Sequence, residues 1–105
     1  MKRYRIAPAA RDDLKQISRY IAVDRESPQG AKRLREQFLD AFRLLAKHPF
    51  LGHAFPEFGR NVRVWSVGNY LILYVPQENG IDVVQVTHGA QDLPSVIRKF
   101  RPPPQ

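Results

Sequence analysis

Apolar and polar positions over residues 61–87 follow the period of an extended chain. The first run is Asn61-Val62-Arg63-Val64-Trp65-Ser66, the second Tyr70-Leu71-Ile72-Leu73-Tyr74-Val75, and the third Ile81-Asp82-Val83-Val84-Gln85-Val86-Thr87. Gly68-Asn69 and Asn79-Gly80 separate them, and such pairs supply the positive φ angles of tight hairpin turns. An antiparallel meander is expected, with the almost continuously apolar middle run central in the sheet. Near the N-terminus, residues 2–7 alternate charged side chains with Tyr4 and Ile6, the period of a half-buried strand, and Pro8 closes it.

The pattern between these strands is helical. From Ala9 onward, Ala10, Leu14, Ile17 and Ile21 recur at steps of four, three and four, one face of a helix whose first turn accommodates Pro8. Asp12 and Asp13 fall near its start, where negative charge complements the helix dipole. Ser27-Pro28 opens a second helix as N-cap and first helical residue. Ala31, Leu34, Phe38, Ala41 and Leu45 form its buried stripe, and Leu39, Phe42 and Ala46 a second stripe beside it. That stripe is wider than covering one sheet requires. Either the helices also pack on each other, or part of the surface is reserved for a partner. Pro49 pushes its predecessor out of helical geometry and ends the helix. Residues 49–60, with Pro49, Gly52, Pro56 and Gly59, read as an irregular connection that Phe50, Leu51, Phe55 and Phe58 pin to the core.

The order of elements predicts an α+β fold in two layers. A helical hairpin packs on a largely antiparallel four-stranded sheet, in the order β-α-α-β-β-β, with the first strand beside the last. A short helix is expected between Asp92 and Ile97. The domain is expected to span residues 1–101, with a Pro-rich flexible tail at 102–105. One hundred and five residues suffice for one core and leave little for a second. There is no cysteine, hence no disulfide framework or thiolate chemistry. Neither a signal-peptide core nor a long apolar span is present, which makes a cytoplasmic location the expectation.

Charge narrows the choice of partner. The net +7 suggests nucleic acid or an acidic protein. Residues 51–105 carry five basic and four acidic side chains, so most of the excess lies on the first strand and the helices. That distribution favours an acidic protein over a substrate phosphate.

Candidate chemistry is sparse. His48, His53 and Glu57 are separated by Pro49 and Gly52, so no metal-ligand spacing is enforced, and no His-Glu-x-x-His pattern occurs. The six glycines never form a phosphate-binding turn ahead of a helix. No cofactor is implied. The enzymatic candidate is acid–base cleavage of RNA. Strand alternation puts Arg63 and Trp65 on one face and Val62 and Val64 on the other. If the helices cover the valine face, then Glu57, Arg60, Arg63 and His88 could converge as base, phosphate clamp and acid. Against this, Glu57 and Arg60 lie on a loop, and a lone histidine at a strand end more often bonds the following turn.

Taken together, several segments resemble the ParE branch of the RelE/ParE toxins. Pro8-Ala9-Ala10, Asp12-Asp13-Leu14, Ile17 and Tyr20-Ile21 look like that family's first helix. Ala31, Leu34, Leu45 and His48-Pro49-Phe50-Leu51-Gly52 look like its second helix and exit turn. Val62-Arg63, Val67-Gly68-Asn69-Tyr70, Ile72 and Tyr74 resemble its central hairpin, and Val86-Thr87-His88-Gly89 with Asp92-Leu93 its last strand and exit. The match runs from about Tyr4 to Leu93. Ribonuclease members of the superfamily carry an arginine after the residue that opens the middle strand, where this chain has Leu71 after Tyr70. They also tend to end in a histidine–tyrosine or arginine–tyrosine pair, where this chain has His88-Gly89.

The resemblance therefore implies a type II toxin that inhibits DNA gyrase and is neutralised by a cognate ParD-like antitoxin in a hetero-oligomer. It implies neither membrane association nor sequence-specific DNA binding by the toxin alone. The alternative is a RelE-like, ribosome-dependent messenger endoribonuclease using Arg63, His88 and Glu57. Antitoxin binding is expected at Arg35, Leu39, Phe42 and Arg43, and target binding at Asp92, Arg98, Lys99, Phe100 and Arg101.

Overall fold

In a computed structural model that describes residues 2–89, the sheet is mixed and five-stranded. Strand β1 (Arg3–Ile6) leads into helix α1 (Pro8–Arg19), which continues as a π-helical turn over Tyr20–Asp24. Helix α2 (Pro28–Lys47) follows, then β2 (His53–Ala54), a 3-10 turn (Pro56–Phe58), β3 (Arg63–Val67), β4 (Tyr70–Gln77) and β5 (Gly80–His88). The spatial order is β1-β5-β4-β3-β2. Strand β1 runs parallel to β5, a pairing that the long connection between them permits, and the other pairings are antiparallel. The fifth strand, absent from the sequence expectation, is β2: two residues paired with Val64 and Arg63, too short to carry a period. The short C-terminal helix expected up to Ile97 and the tail at 102–105 lie outside the described residues. No described helix is long and apolar enough to cross a membrane.

Local chemistry sets the helix ends. The Ser27 hydroxyl accepts the Gly30 N–H at 3.1 Å, and Pro28 takes the first helical position of α2. Helix α2 stops at Lys47, just ahead of Pro49. Helix α1 departs from expectation. Asp12 and Asp13 lie beyond its first turn and do not serve the dipole. Instead the Asp13 carboxylate accepts the Val86 N–H of β5 at 3.0 Å. Strand β1 pairs with β5 only as far as Val83, so the side chain takes over where the ladder ends. Burial, and secondarily Asp12, raise the Asp13 pKa, while the bond from Val86 opposes the rise.

The core is double. On the helix side, Phe38, Phe42, Leu45 and Ala46 of α2 meet Ile72, Tyr74, Ile81, Val83 and Val86, with Trp65 and Tyr70 packed alongside. On the other side, Phe58 covers Val62, Val64, Leu71 and Leu73, joined by Phe55 and Val75. The face assignment made from the sequence is thereby reversed. The helices cover the face bearing Arg63 and Trp65, and the loop aromatics cover the valine face. Burial of β4 on both faces explains its unbroken apolar run. Of the four loop residues expected to act as pins, only Phe55 and Phe58 do so. Phe50 and Leu51 are 73% and 45% exposed.

Two details set the register. A bulge in β5 leaves Leu73 opposite Gln85 but Tyr74 opposite Val83, so Val83 and Val86, three apart, share the helix face. The second hairpin turns at Glu78-Asn79 rather than at Asn79-Gly80, because Gly80 already pairs with Gln77. Gly80 sits at φ 142° beneath β1, where a Cβ would run into the Arg3 carbonyl.

Ile72 is fully buried at the centre of the sheet. Ile72→Ala is expected to cost about 2–5 kcal/mol in urea unfolding, the range for such core truncations.

Asp13 gives a pH signature. Its folded pKa lies above the unfolded one, so the folded state binds this proton more tightly, and acidification through that pKa favours folding at this site. Asn keeps an acceptor for Val86 without the buried charge. Asp13→Asn is therefore expected to be at least as stable as the parent at neutral pH, with the difference shrinking in acid. Asp13→Ala, which orphans the Val86 N–H, is expected to lose about 1–3 kcal/mol. Denaturant melts at neutral and acid pH read both effects.

Candidate functional site

The residues proposed for acid–base chemistry do not converge. Arg63 projects to the helix face, where Nε donates to the Gly52 carbonyl at 2.9 Å and one terminal nitrogen to the Phe50 carbonyl at 3.0 Å. Its guanidinium also lies 5.3 Å from the centre of the Phe50 ring. Glu57 is exposed on the 3-10 turn that covers the opposite face of the sheet. Arg60 is exposed on the loop after that turn. His88 is cross-strand from Tyr70, whereas Arg63 is cross-strand from Tyr74. Those two β4 positions are separated by about 13 Å at roughly 3.3 Å per residue. The His88 ring stands edge-on to Tyr70 at 5.1 Å. No group of three His, Asp or Glu among the described residues is placed to hold a metal ion.

Arg63 belongs instead to a structural lock that the sequence reading missed. The Tyr74 hydroxyl accepts the Gly52 N–H at 2.9 Å and donates to the Pro49 carbonyl at 2.7 Å. Burial raises the Tyr74 pKa, against the lowering pull of the Gly52 bond and of Arg63. Gly52 is required there, since a Cβ would lie 2.5 Å from that hydroxyl and 2.8 Å from the Val64 carbonyl. The signal in the sequence was the pairing of a glycine in the exit turn with a tyrosine in an otherwise aliphatic central strand.

One open, largely apolar surface lies between the helices. A groove of about 270 Å³ runs between α1 and α2. Leu14, Ile17, Leu34, Phe38 and Leu39 form much of its apolar wall, with Phe42 at its base. Arg11, Lys15 and Arg35 stand at its rim. Most of the wide α2 stripe is consumed by the core, and the remainder lines this groove. Of the four residues expected to contact a partner, Arg35, Leu39 and Phe42 lie here. Phe42 is fully buried and offers only a floor, its ring tilted against Tyr4 and stacked on Phe38. Arg43 is not among the groove residues. It pairs with Asp40 at 3.1 Å and borders a separate cleft. Asp92, Arg98, Lys99, Phe100 and Arg101 lie outside the described residues.

The lock makes a prediction. Tyr74→Phe removes one oxygen and leaves the Gly52 N–H and Pro49 carbonyl without it, so a loss of about 1–3 kcal/mol is expected. Amide exchange at Gly52 should accelerate relative to that of the β4–β5 ladder. Unchanged exchange at Gly52 would mean that the hydroxyl does not hold the turn.

The family model describing the ParE toxin of the type II toxin–antitoxin system, parDE, matches residues 4–93. Among solved structures, a chain titled "Chromosomal ParDE TA system from P. aeruginosa" superposes with a TM-score of 0.67 at 15% identity. The superposition covers 85% of this chain and 97% of that one, a likeness of fold. No curated protein sequence matches. The helical hairpin, the mixed sheet and a family match over most of the length agree: this chain belongs to the ParE toxins of type II toxin–antitoxin systems.

Proposed function

We propose that this ParE toxin inhibits DNA gyrase and is neutralised by a cognate ParD-like antitoxin seated in the groove between α1 and α2. The groove carries the proposal: an apolar trough with a cationic rim suits an amphipathic segment whose carboxylates face Arg11, Lys15 and Arg35. A stable complex of this kind buries on the order of 1,200–2,000 Å² or more, so the partner extends beyond the trough. Inhibition by contact rather than by RNA cleavage is supported by the arrangement of the polar residues. Two donors of Arg63, from Nε and one terminal nitrogen, are engaged by backbone carbonyls, and Glu57 and His88 lie away from it. The target-binding segment is proposed to comprise Asp92, Arg98, Lys99, Phe100 and Arg101. In this reading the toxin uses no cofactor.

The test is a gyrase supercoiling assay beside a translating extract. The toxin is expected to block supercoiling and to leave ribosome-bound messenger intact. His88→Ala is expected to keep most of the inhibition, and truncation after Ile97 to abolish it. Removing a general acid would instead cost typically 10²–10⁴-fold. Normal supercoiling at saturating toxin, or messenger cleavage, overturns the gyrase reading. Reversing Lys15 and Arg35 together to glutamate should weaken antitoxin binding, chiefly through a slower on-rate at low salt. An on-rate independent of ionic strength would move the antitoxin to another face.

A further inference from the structure

The fold collects its charge in one place. Residues 2–6 and helix α2 carry eight basic and two acidic side chains, a net +6 of the chain's +7, and β1 and α2 pack against each other. Where the start of β1 meets the last turns of α2, a shallow cleft of about 360 Å³ is lined by Lys2, Arg3, Tyr4, Arg43, Ala46 and Lys47. Four of these six are cationic and none is acidic. Lys2, Arg3 and Lys47 have no acidic partner among the described residues. Arg43 has only Asp40, in an ion pair open to water on both sides. Lys47 in the last turn of α2 is accounted for by the helix dipole, but that leaves three other cations facing the same cleft.

We propose that this cleft binds the phosphodiester backbone of duplex DNA, without reading its sequence, as a site distinct from the groove between the helices. Its composition favours phosphates over an acidic protein. Protein interfaces are anchored by exposed aromatic and aliphatic residues and are poor in lysine, whereas here the apolar wall is limited to Tyr4 and Ala46 and two of the four cations are lysines. DNA interfaces are far more positive. Tyr4 is half-buried with its ring packed 5.5 Å from that of Phe42, so it offers no free platform for stacking an unpaired base. Apart from the Tyr4 hydroxyl, no side chain of the cleft can accept from a ribose 2′-hydroxyl, which favours DNA over duplex RNA. With no side chain placed to read base edges, the contact is positional only.

The experiment is fluorescence anisotropy of the whole toxin with a labelled DNA duplex of arbitrary sequence, titrated across salt. Three to four phosphate contacts predict a slope of log K against log salt of about −3, or roughly a 10²-fold loss between about 50 and 200 mM. Lys2→Gln, Arg43→Gln and Lys47→Gln should each reduce the slope by about one. The double variant Arg19→Gln/Arg25→Gln removes charge at the far end of the helical hairpin and should leave the slope unchanged. Equal losses from the cleft and hairpin variants would reduce the binding to net charge and overturn the site. So would absence of binding at the lowest salt, tighter binding of an RNA duplex, or tighter binding of polyglutamate of matched charge. Lys15→Glu/Arg35→Glu, which alters the groove rim and not the cleft, separates this proposal from the antitoxin proposal. A normal DNA slope with lost antitoxin binding supports two sites, and joint loss of both by the cleft variants alone overturns them as separate.

Discussion

The hydroxyl of Tyr74 holds the architecture at its centre. A phenol fully buried in the middle strand of the sheet carries a desolvation penalty unless both its donor and its acceptor are used. Here both partners are backbone groups of a single turn, the Pro49 carbonyl and the Gly52 N–H. One side chain therefore fastens the exit of α2 to the sheet. Arg63 reinforces the same turn from β3 through the carbonyls of Phe50 and Gly52. With that turn fixed, His53 and Ala54 fall into register beside Val64 and Arg63, and the following 3-10 turn carries Phe58 over the opposite face. The edge strand, the second core and the inward arginine all follow from how this turn is held.

The second constraint is the bulge in β5. Without the extra residue, Val83 and Val86 would point to opposite faces, and one of them would leave the helix-side core. The bulge lets both face α1 and α2 while Val84 packs toward the opposite cluster. Among the described residues no strand pairs with the outer edge of β5 past Val83, and Asp13 accepts the Val86 N–H there. Helix α1 is thus tied to the sheet by a polar contact as well as by Ala10 and Leu14. The charge of Asp13 is held under partial burial, which gives the attachment its dependence on pH.

Among the described residues, two surfaces of contrasting chemistry stand out. The apolar groove lies between α1 and α2, lined by Leu14 and Ile17 of the first helix and Leu34 and Leu39 of the second. The cationic cleft remains because the N-terminal strand, rich in lysine and arginine, lies beside the equally basic α2. The two surfaces share α2 but use different residues of it.

The sequence by itself determined the elements and their order. Helical spacing at Ala10, Leu14 and Ile17, the Ser27-Pro28 start, the Pro49 stop and the alternating runs after Asn61 are local signals, written into neighbouring residues. The placement of the first strand beside the last was also expected from the sequence, whereas its parallel direction is a finding of the fold. Only the tertiary structure decided which face of the sheet the helices cover, because alternation gives two faces without saying which is which. It gave Arg63 backbone partners that no local pattern could show, since its acceptors are carbonyls 11 and 13 residues away in the chain. It also added β2, whose two residues are a strand only because β3 lies beside them, and it buried Phe42 while leaving Phe50 exposed. Period and propensity act over one or two turns of chain. Burial and hydrogen-bond partnership are properties of segments that meet only once the chain has folded.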